Sequence, residues 1–487
     1  MTTSRQGSQA PSQGPAHTPQ VRVHAFGDDA LGEHDAVGLA AEIRAGRVSR
    51  REVVDAAIDR TRRLDGLLAG LASERFTAAR GEAAQAHAGF FAGQPTFVKD
   101  NSDLAGLPTQ QGTRAFVAHP ARKDGDFARL LGLVGTTPIG KTRLSEYGFS
   151  ASAEFVEDPP VRNPWHTGHT SGASSAGSAA FVAAGAVPMA HANDGGGSIR
   201  IPAACNGLVG LKPTRGRVPS DKVHREMPVR IVHDGVVTRS VRDTAAFLRE
   251  SERVYRDLKL PPVGDVTGPG HARLRVGLVL DSIGGRETDE ETLRTVLETG
   301  RLLEKLGHQV EEVDAPVPEV FADDFLNYWS TLALFLSATG RHTFNRTYDR
   351  SRNDNLTKGL ARRAVRNSWR LPLSIARLRL SEKVSTVFYR DHDVVLTPTL
   401  ARVTPELGWL DPGQSYETLI GRLLEWVAFT PLQNATGDPA ISVPMGMSER
   451  GLPIGVQLAA GQGHDRRLLE MAYELEEARP FARIQDA

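Results

Sequence analysis

The chain has 487 residues, with 58 Lys and Arg balanced by 58 Asp and Glu, so its formal net charge is zero. That balance lacks the basic excess of a nucleic-acid-binding domain, although a local basic patch can hide in such an average. The single cysteine, Cys205, excludes an intrachain disulfide, and the absence of any long apolar run excludes a membrane span.

Residues 1 to about 20 are rich in Ser, Gln, Pro and Gly and cannot bury enough apolar surface to order themselves. They read as a tail, within a tail region set at 1–27. They also lack the apolar stretch of a secretory leader, so a cytoplasmic location is expected. Ser49 and Glu52 form an S-x-x-E capping box, and Val53, Val54, Ala57 and Ile58 follow at helical spacing. Thr96 to Val98 predicts a short buried strand that ends at Lys99. Thr136, Thr137 and Ile139 predict another. The small, apolar run from Ser174 to Ala186 predicts a closely packed helix, and a further helix or strand starts at Ile199. Strands are expected over Arg275–Leu280, Gln309–Val313 and His392–Thr397, with an amphipathic helix from Thr288 to Leu306. Another helix begins near Asp323. Strands separated by helices predict an α/β fold with helices on both faces of the sheet, and no fixed-period repeat divides it.

Two Ser/Gly-rich stretches flank the small-residue helix: Thr170 to Ser178, and Asp194-Gly195-Gly196-Gly197-Ser198. Three glycines free the backbone to aim several N–H groups at one point, which is what an oxyanion hole requires. Ser198 then stands where its hydroxyl could attack a carbonyl; as a plain turn, the same residues would make Ser198 a helix cap. A serine needs a base. Lys99, at a buried strand end, serves if burial lowers its pKa; otherwise it is a surface lysine paired with Asp100.

Rival patterns exist. Gly135-Thr136-Thr137-Pro138-Ile139-Gly140-Lys141-Thr142 fits the P-loop formula of a nucleotide hydrolase, with Val276 to Asp281 as a candidate second strand. However, Pro138 removes a phosphate-binding N–H and the β-branched residues favour a strand. A Ser-His-Asp hydrolase could draw on His119, His166, His169 or His191, but no true G-x-S-x-G elbow is present. His166 and His169 also form an HxxH pair, with no third metal ligand evident nearby.

The stretch from Gly168 to Gly216 resembles the amidase signature, G-G-S-S-G-G-S followed by D-x-G-G-S-[IV]-R-x-P-A. It stands here as Gly172-Ala173-Ser174-Ser175-Ala176-Gly177-Ser178 and Asp194-Gly195-Gly196-Gly197-Ser198-Ile199-Arg200-Ile201-Pro202-Ala203, continuing through Gly207 to Arg217. The lysine motif G-x-P-x-x-[VI]-K-D matches Gly93 to Asp100, and C-terminal motifs match Asn434 to Ile441 and Gly451 to Gln457. The wording is most similar to a mycobacterial branch of the family. Ala173 and Ala176 replace family glycines, Gly195 replaces a bulkier residue, and Cys205-Asn206-Gly207 replaces Phe-Cys-Gly, so Cys205 is read as structural.

The resemblance implies a single large α/β domain over residues 28–487, with a central mixed sheet flanked by helices. It implies Ser198 as acyl-forming nucleophile, Ser174 as bridging serine after a cis peptide bond, and Lys99 as base. It implies an oxyanion hole from the N–H groups of Gly195, Gly196, Gly197 and Ser198. No metal or cofactor is implied. The expected partner is a small-molecule amide of a monocarboxylic acid, cleaved to carboxylate and ammonia or amine, with no nucleic acid and no membrane. Aliphatic, aryl and cyclic amides, and esters, stay open. Tyr328 and Trp329 are candidates for the acyl pocket, or else ordinary core aromatics. Assembly is open, with a homodimer among the alternatives. The transamidase A subunit that acts on mischarged tRNA is the alternative within the family, though it typically has Gln where this chain has Ile201.

Overall fold

The computed structural model describes residues 21–85 and 88–487. The proposed tail therefore lies mostly outside the described residues, but its last part does not. Val23 and Ala25 are buried, and their N–H groups donate to Pro164 O at 2.7 Å and Ala184 O at 2.8 Å. The boundary at 27 is corrected accordingly: residues 21–27 lie along the domain and belong to it.

Eleven strands form two sheets among the described residues. The smaller holds β1 (Leu71–Glu74), β2 (Pro95–Lys99) and β3 (Thr137–Thr142) in the order β1-β3-β2. The larger contains β4 (Met189–Asp194), β5 (Val209–Lys212), β6 (His233–Thr238), β7 (Arg275–Leu278), β8 (Gln309–Glu312), β9 (Val394–Pro398), β10 (Ala440–Met447) and β11 (Pro453–Ala459). Their order is β4-β6-β5-β10-β11-β9-β7-β8. Both sheets are mixed: β2 runs parallel to β3, and β7 parallel to β8 and β9, while β10 and β11 form an antiparallel hairpin. Side chains join the two sheets. Thr96 Oγ1 on β2 donates to Met189 O on β4 at 3.0 Å, and the Lys99 N–H donates to His191 Nδ1 at 3.2 Å.

Alternation along the strands feeds two cores. Val98 and Val236 point to a core shared with the helices Asp126–Leu133, Val241–Val254 and Asp465–Ala478. Phe97 and Val237, their chain neighbours, point to the opposite core, which packs the helices Arg50–Leu68 and Ala176–Ala183. The capping box forms: Ser49 Oγ accepts from Glu52 N at 3.2 Å, and Glu52 Oε2 accepts from Ser49 N at 2.8 Å. The small-residue helix is shorter than its apolar run, spanning Ala176–Ala183, all eight residues buried. Gly177 lets it approach the backbone of Gly70, where an added Cβ would sit 2.3 Å from Gly70 O. The expected helix at 288–306 spans Glu290–Lys305, and the one near Asp323 spans Val320–Thr343.

Candidate active site

β2 and β4 bring the site together at their C-terminal ends. Lys99, the last residue of β2, is fully buried. Its Nζ lies 2.7 Å from Ser174 Oγ, 2.6 Å from Asn193 Oδ1 and 3.3 Å from Asn193 O. A neutral amine has two N–H groups and one lone pair. Asn193 supplies two acceptors, which leaves the lone pair for the Ser174 hydroxyl. Burial pushes the Lys99 ammonium down to about 7, against the pull of the Asp194 and Asp234 carboxylates. The surface-lysine alternative falls, and Asp100 pairs instead with Lys141 at 2.8 Å.

The peptide bond between Ala173 and Ser174 is cis. Behind Ser174, Tyr147 and Gly148 turn with φ of 49° and 76°. A Cβ on Gly148 would lie 3.2 Å from Ser174 Oγ, so this glycine keeps space beside the hydroxyl.

Ser198 precedes the helix Arg200–Asn206 but does not cap it; Ile199 holds that position, with no side-chain cap bond. The Ser198 hydroxyl is thus not committed to the helix. Its backbone is tied down, since Ser175 Oγ donates to Ser198 O at 2.5 Å and to Asn193 O at 3.3 Å. Ser198, Gly196 and Ala173 line one cavity. Among the described residues no hydrogen bond joins Ser174 Oγ to Ser198 Oγ; Ser174 instead meets the lysine, and its neighbour Ser175 meets the Ser198 backbone.

The three glycines divide. The Gly197 N–H donates to Asp194 Oδ1 at 2.6 Å, so it is not an oxyanion donor here, and that expectation is corrected. The N–H groups of Gly195, Gly196 and Ser198 remain as candidates. Gly197 is required on other grounds: its φ is 132°, and a Cβ there would fall 2.3 Å from Thr430 Oγ1. Thr430 Oγ1 in turn donates to Gly196 O at 2.6 Å.

Asp194 anchors the turn. Arg200 holds both carboxylate oxygens at 2.9 Å, and Asn434 Nδ2 donates to Asp194 O and Oδ1, each at 2.8 Å. Arg200 also donates to Gln457 Oε1 at 2.7 Å and to Asn434 Oδ1 at 2.7 Å. Burial alone would raise the Asp194 carboxyl; the Arg200 guanidinium outweighs it and holds the group well below the usual carboxylate range. Asn193, and the joint role of Asp194, Arg200, Asn434 and Gln457, escaped the sequence reading. The last four stood in quoted motifs, which was the available signal.

The cavity has a volume of about 310 Å³. Phe149, Ile201, Phe325, Leu326, Trp329 and Leu424 give it an apolar wall, and the exposed Arg286, Glu319 and Asp323 mark its outer end. Trp329 stacks on Phe325 at 5.9 Å and meets Phe149 edge-on at 5.4 Å. Tyr328 does not line the cavity. One position along the helix it turns into the core, where its hydroxyl donates to Val229 O at 2.9 Å and accepts from Val229 N at 3.1 Å. The pocket assignment of Tyr328 is therefore corrected.

The rival patterns resolve as structure. The P-loop formula spans β3, and Lys141 is buried, donating to Pro108 O at 2.8 Å and Thr109 Oγ1 at 2.7 Å. His191 receives the Lys99 N–H at Nδ1, so its Nε2–H faces Asp234 at 3.2 Å; burial lowers its pKa, and the neutral ring has no lone pair free for a serine. His119 is exposed, and His166 and His169 contact each other through Nδ1 atoms 2.9 Å apart. Among the described residues no group of three or more His, Cys, Asp or Glu could hold a metal ion. Burial pushes the Cys205 thiol up to about 12, as suits a structural residue. No helix among the described residues is long and apolar enough to cross a membrane.

Comparison with known proteins gives the family and the fold. The family model described as Amidase matches residues 52–469. The Mycobacterium leprae protein named "Putative amidase AmiC" is 58% identical over 465 residues, covering 95% of this chain and 99% of its own. The structure of 6-aminohexanoate cyclic dimer hydrolase complexed with substrate superposes with a TM-score of 0.85 at 30% identity, over 93% of this chain and 98% of that one. A bacterial aryl acylamidase of the amidase signature family follows, with a TM-score of 0.82, 25% identity and the same coverage. The motifs, the mixed α/β fold and these likenesses agree, and the chain belongs to the amidase signature family of amide hydrolases.

Proposed function

We propose that the protein hydrolyses the amide of a monocarboxylic acid, to the carboxylate and ammonia or an amine, through an acyl-enzyme on Ser198. The observation that carries this reading is the buried Lys99 amine 2.7 Å from Ser174 Oγ, behind a cavity that Ser198 lines. Neutral Lys99 takes the proton of Ser174 as Ser174 takes that of Ser198, and Ser198 Oγ attacks the carbonyl. A short rotation of a serine side chain completes the relay. N–H groups of Gly195, Gly196 and Ser198 meet the oxyanion, each such donor contributing about 3–4 kcal/mol in related sites. The proton returns to the leaving nitrogen, because an amide anion does not leave unprotonated. Water then releases the acyl group by the same relay.

The apolar wall supports an apolar or aryl acyl group of modest size. Screening the purified chain against aliphatic, aryl and cyclic amides, with mass-spectrometric trapping of the acyl-enzyme, tests reaction and substrate together. An acyl adduct on the peptide that contains Ser198 is expected, as is loss of fluorophosphonate labelling in Ser198→Ala. Labelling that survives this substitution removes Ser198 from the role. Turnover by the purified chain alone also separates this reading from that of a complex-bound amidotransferase subunit.

A further inference from the structure

The helix Leu371–Phe388 is apolar on two faces: Leu371, Ile375, Leu378 and Val384 pack on the core, and a second stripe faces outward. Its inward face carries Ser374, Leu378, Ser381 and Ser385, all buried. Ser374 Oγ donates to Asp324 Oδ1 at 2.7 Å, and Ser385 Oγ donates to Asp438. Its outward face, starting one turn earlier, carries Trp369, Leu373, Ala376, Leu380, Lys383 and Val387, at alternating steps of four and three. Trp369 is 77% exposed, Leu373 52%, Leu380 54% and Val387 53%. A surface helix on a folded domain needs one apolar stripe, turned to the core; a second one turned outward marks a surface with a partner.

The charge is equally uneven. Residues 361–390 contain eight Lys or Arg and one Glu, in a chain whose net charge is zero. Arg363 and Arg370 reach Asp323 at 3.6 and 3.7 Å, and Arg377 reaches Asp324 at 3.6 Å. Arg362, Arg366, Lys383 and Arg390 are exposed and make no ion pair among the described residues.

These two features select the occupant. A second copy packed on the same stripe would set cation against cation. An anionic lipid surface accepts both parts: apolar side chains enter the headgroup boundary while free cations meet phosphates. We propose that this face docks the protein peripherally on an anionic phospholipid surface, through Trp369, Leu373, Leu380 and Val387 together with the unpaired cations. The proposal stands on this face alone and is independent of the reaction.

Flotation of the purified full chain with vesicles tests it. One set is phosphatidylcholine alone; the other is phosphatidylcholine mixed with phosphatidylglycerol. The protein is expected to float with the mixed vesicles, to stay behind with the neutral ones, and to be released by added salt. Lys383→Gln should lower the partition about fivefold, and Leu380→Ser by ~tenfold or more. Both positions are exposed, and an unchanged thermal midpoint checks that each variant folds. Failure to float with the mixed vesicles overturns the proposal, and so does flotation that neither substitution weakens. Sedimentation as a dimer that Leu380→Ser returns to a monomer, without vesicle binding, overturns it in favour of a second copy.

Discussion

Asn193 offers the Lys99 amine two acceptors, its side-chain oxygen at 2.6 Å and its carbonyl at 3.3 Å. Both favour the ammonium form and so oppose the burial that brings Lys99 down to about 7. Below that value the amine is protonated and has no lone pair for Ser174. Amide turnover should therefore rise with pH through about 7, and Asn193→Leu should move that limb to lower pH. Steady-state kcat/KM measured from about pH 5 to about pH 9 checks this. A profile without the limb would exclude Lys99 as the base.

The same burial has an opposite effect on stability. An ordinary lysine titrates near 10.5, and Lys99 near 7. Between those values the unfolded chain holds a proton that the folded chain lacks, so this residue's contribution improves as pH rises through that window and is least favourable below it. Lys99→Met should abolish turnover yet raise the thermal midpoint near neutral pH, by on the order of a few kcal/mol in unfolding free energy. The gain should shrink towards the alkaline end. Calorimetry of the two proteins across pH reads the difference directly.

Two neighbouring glycines should respond unequally to a methyl group. At Gly195 a Cβ would sit 3.5 Å from Trp329 and Val232, an ordinary contact. At Gly197 it would sit 2.3 Å from Thr430 Oγ1, at a φ of 132°. Gly195→Ala should keep most of the activity, whereas Gly197→Ala should lose it by orders of magnitude or fail to fold. Parallel rates and circular dichroism on the pair settle the ordering.

The proposed catalytic elements were legible as candidates because their chemistry is local. A lysine closing an apolar strand and a serine closing a glycine run are visible as residue types in a pattern. What each glycine does was not legible, since the partner of the Gly197 N–H is a side chain whose direction is set by Arg200. Asn193 lies within a buried strand and carries no periodic signal. Tyr328 and Trp329 differ by one step, and both flanks of their helix are apolar, so hydrophobicity could not tell which faced the cavity. Likewise the net charge concealed the cations of 361–390.

That difference of one step gives a paired test. Trp329→Ala should raise KM for amides with apolar acyl groups, because it removes cavity wall. Tyr328→Phe should leave KM unchanged and lower stability by about 1 kcal/mol, because it leaves the Val229 backbone without its hydroxyl partner. Michaelis constants and denaturation midpoints for both variants separate lining from core.

Removing one side of the Asp194–Arg200 pair should be severe. Both side chains are fully buried. Arg200→Gln leaves a carboxylate in the interior, with an expected loss of about 3–5 kcal/mol. Urea unfolding measures it.

Asp194 is held by Asn434, and Arg200 by Gln457, so the turn that carries Ser198 is braced from the far end of the chain. During synthesis Ser198, the proposed nucleophile, emerges from the ribosome long before those two side chains are added. A nascent chain halted ahead of β11 would carry Lys99, Ser174 and Ser198 without a competent site. A product terminated there should therefore be inert.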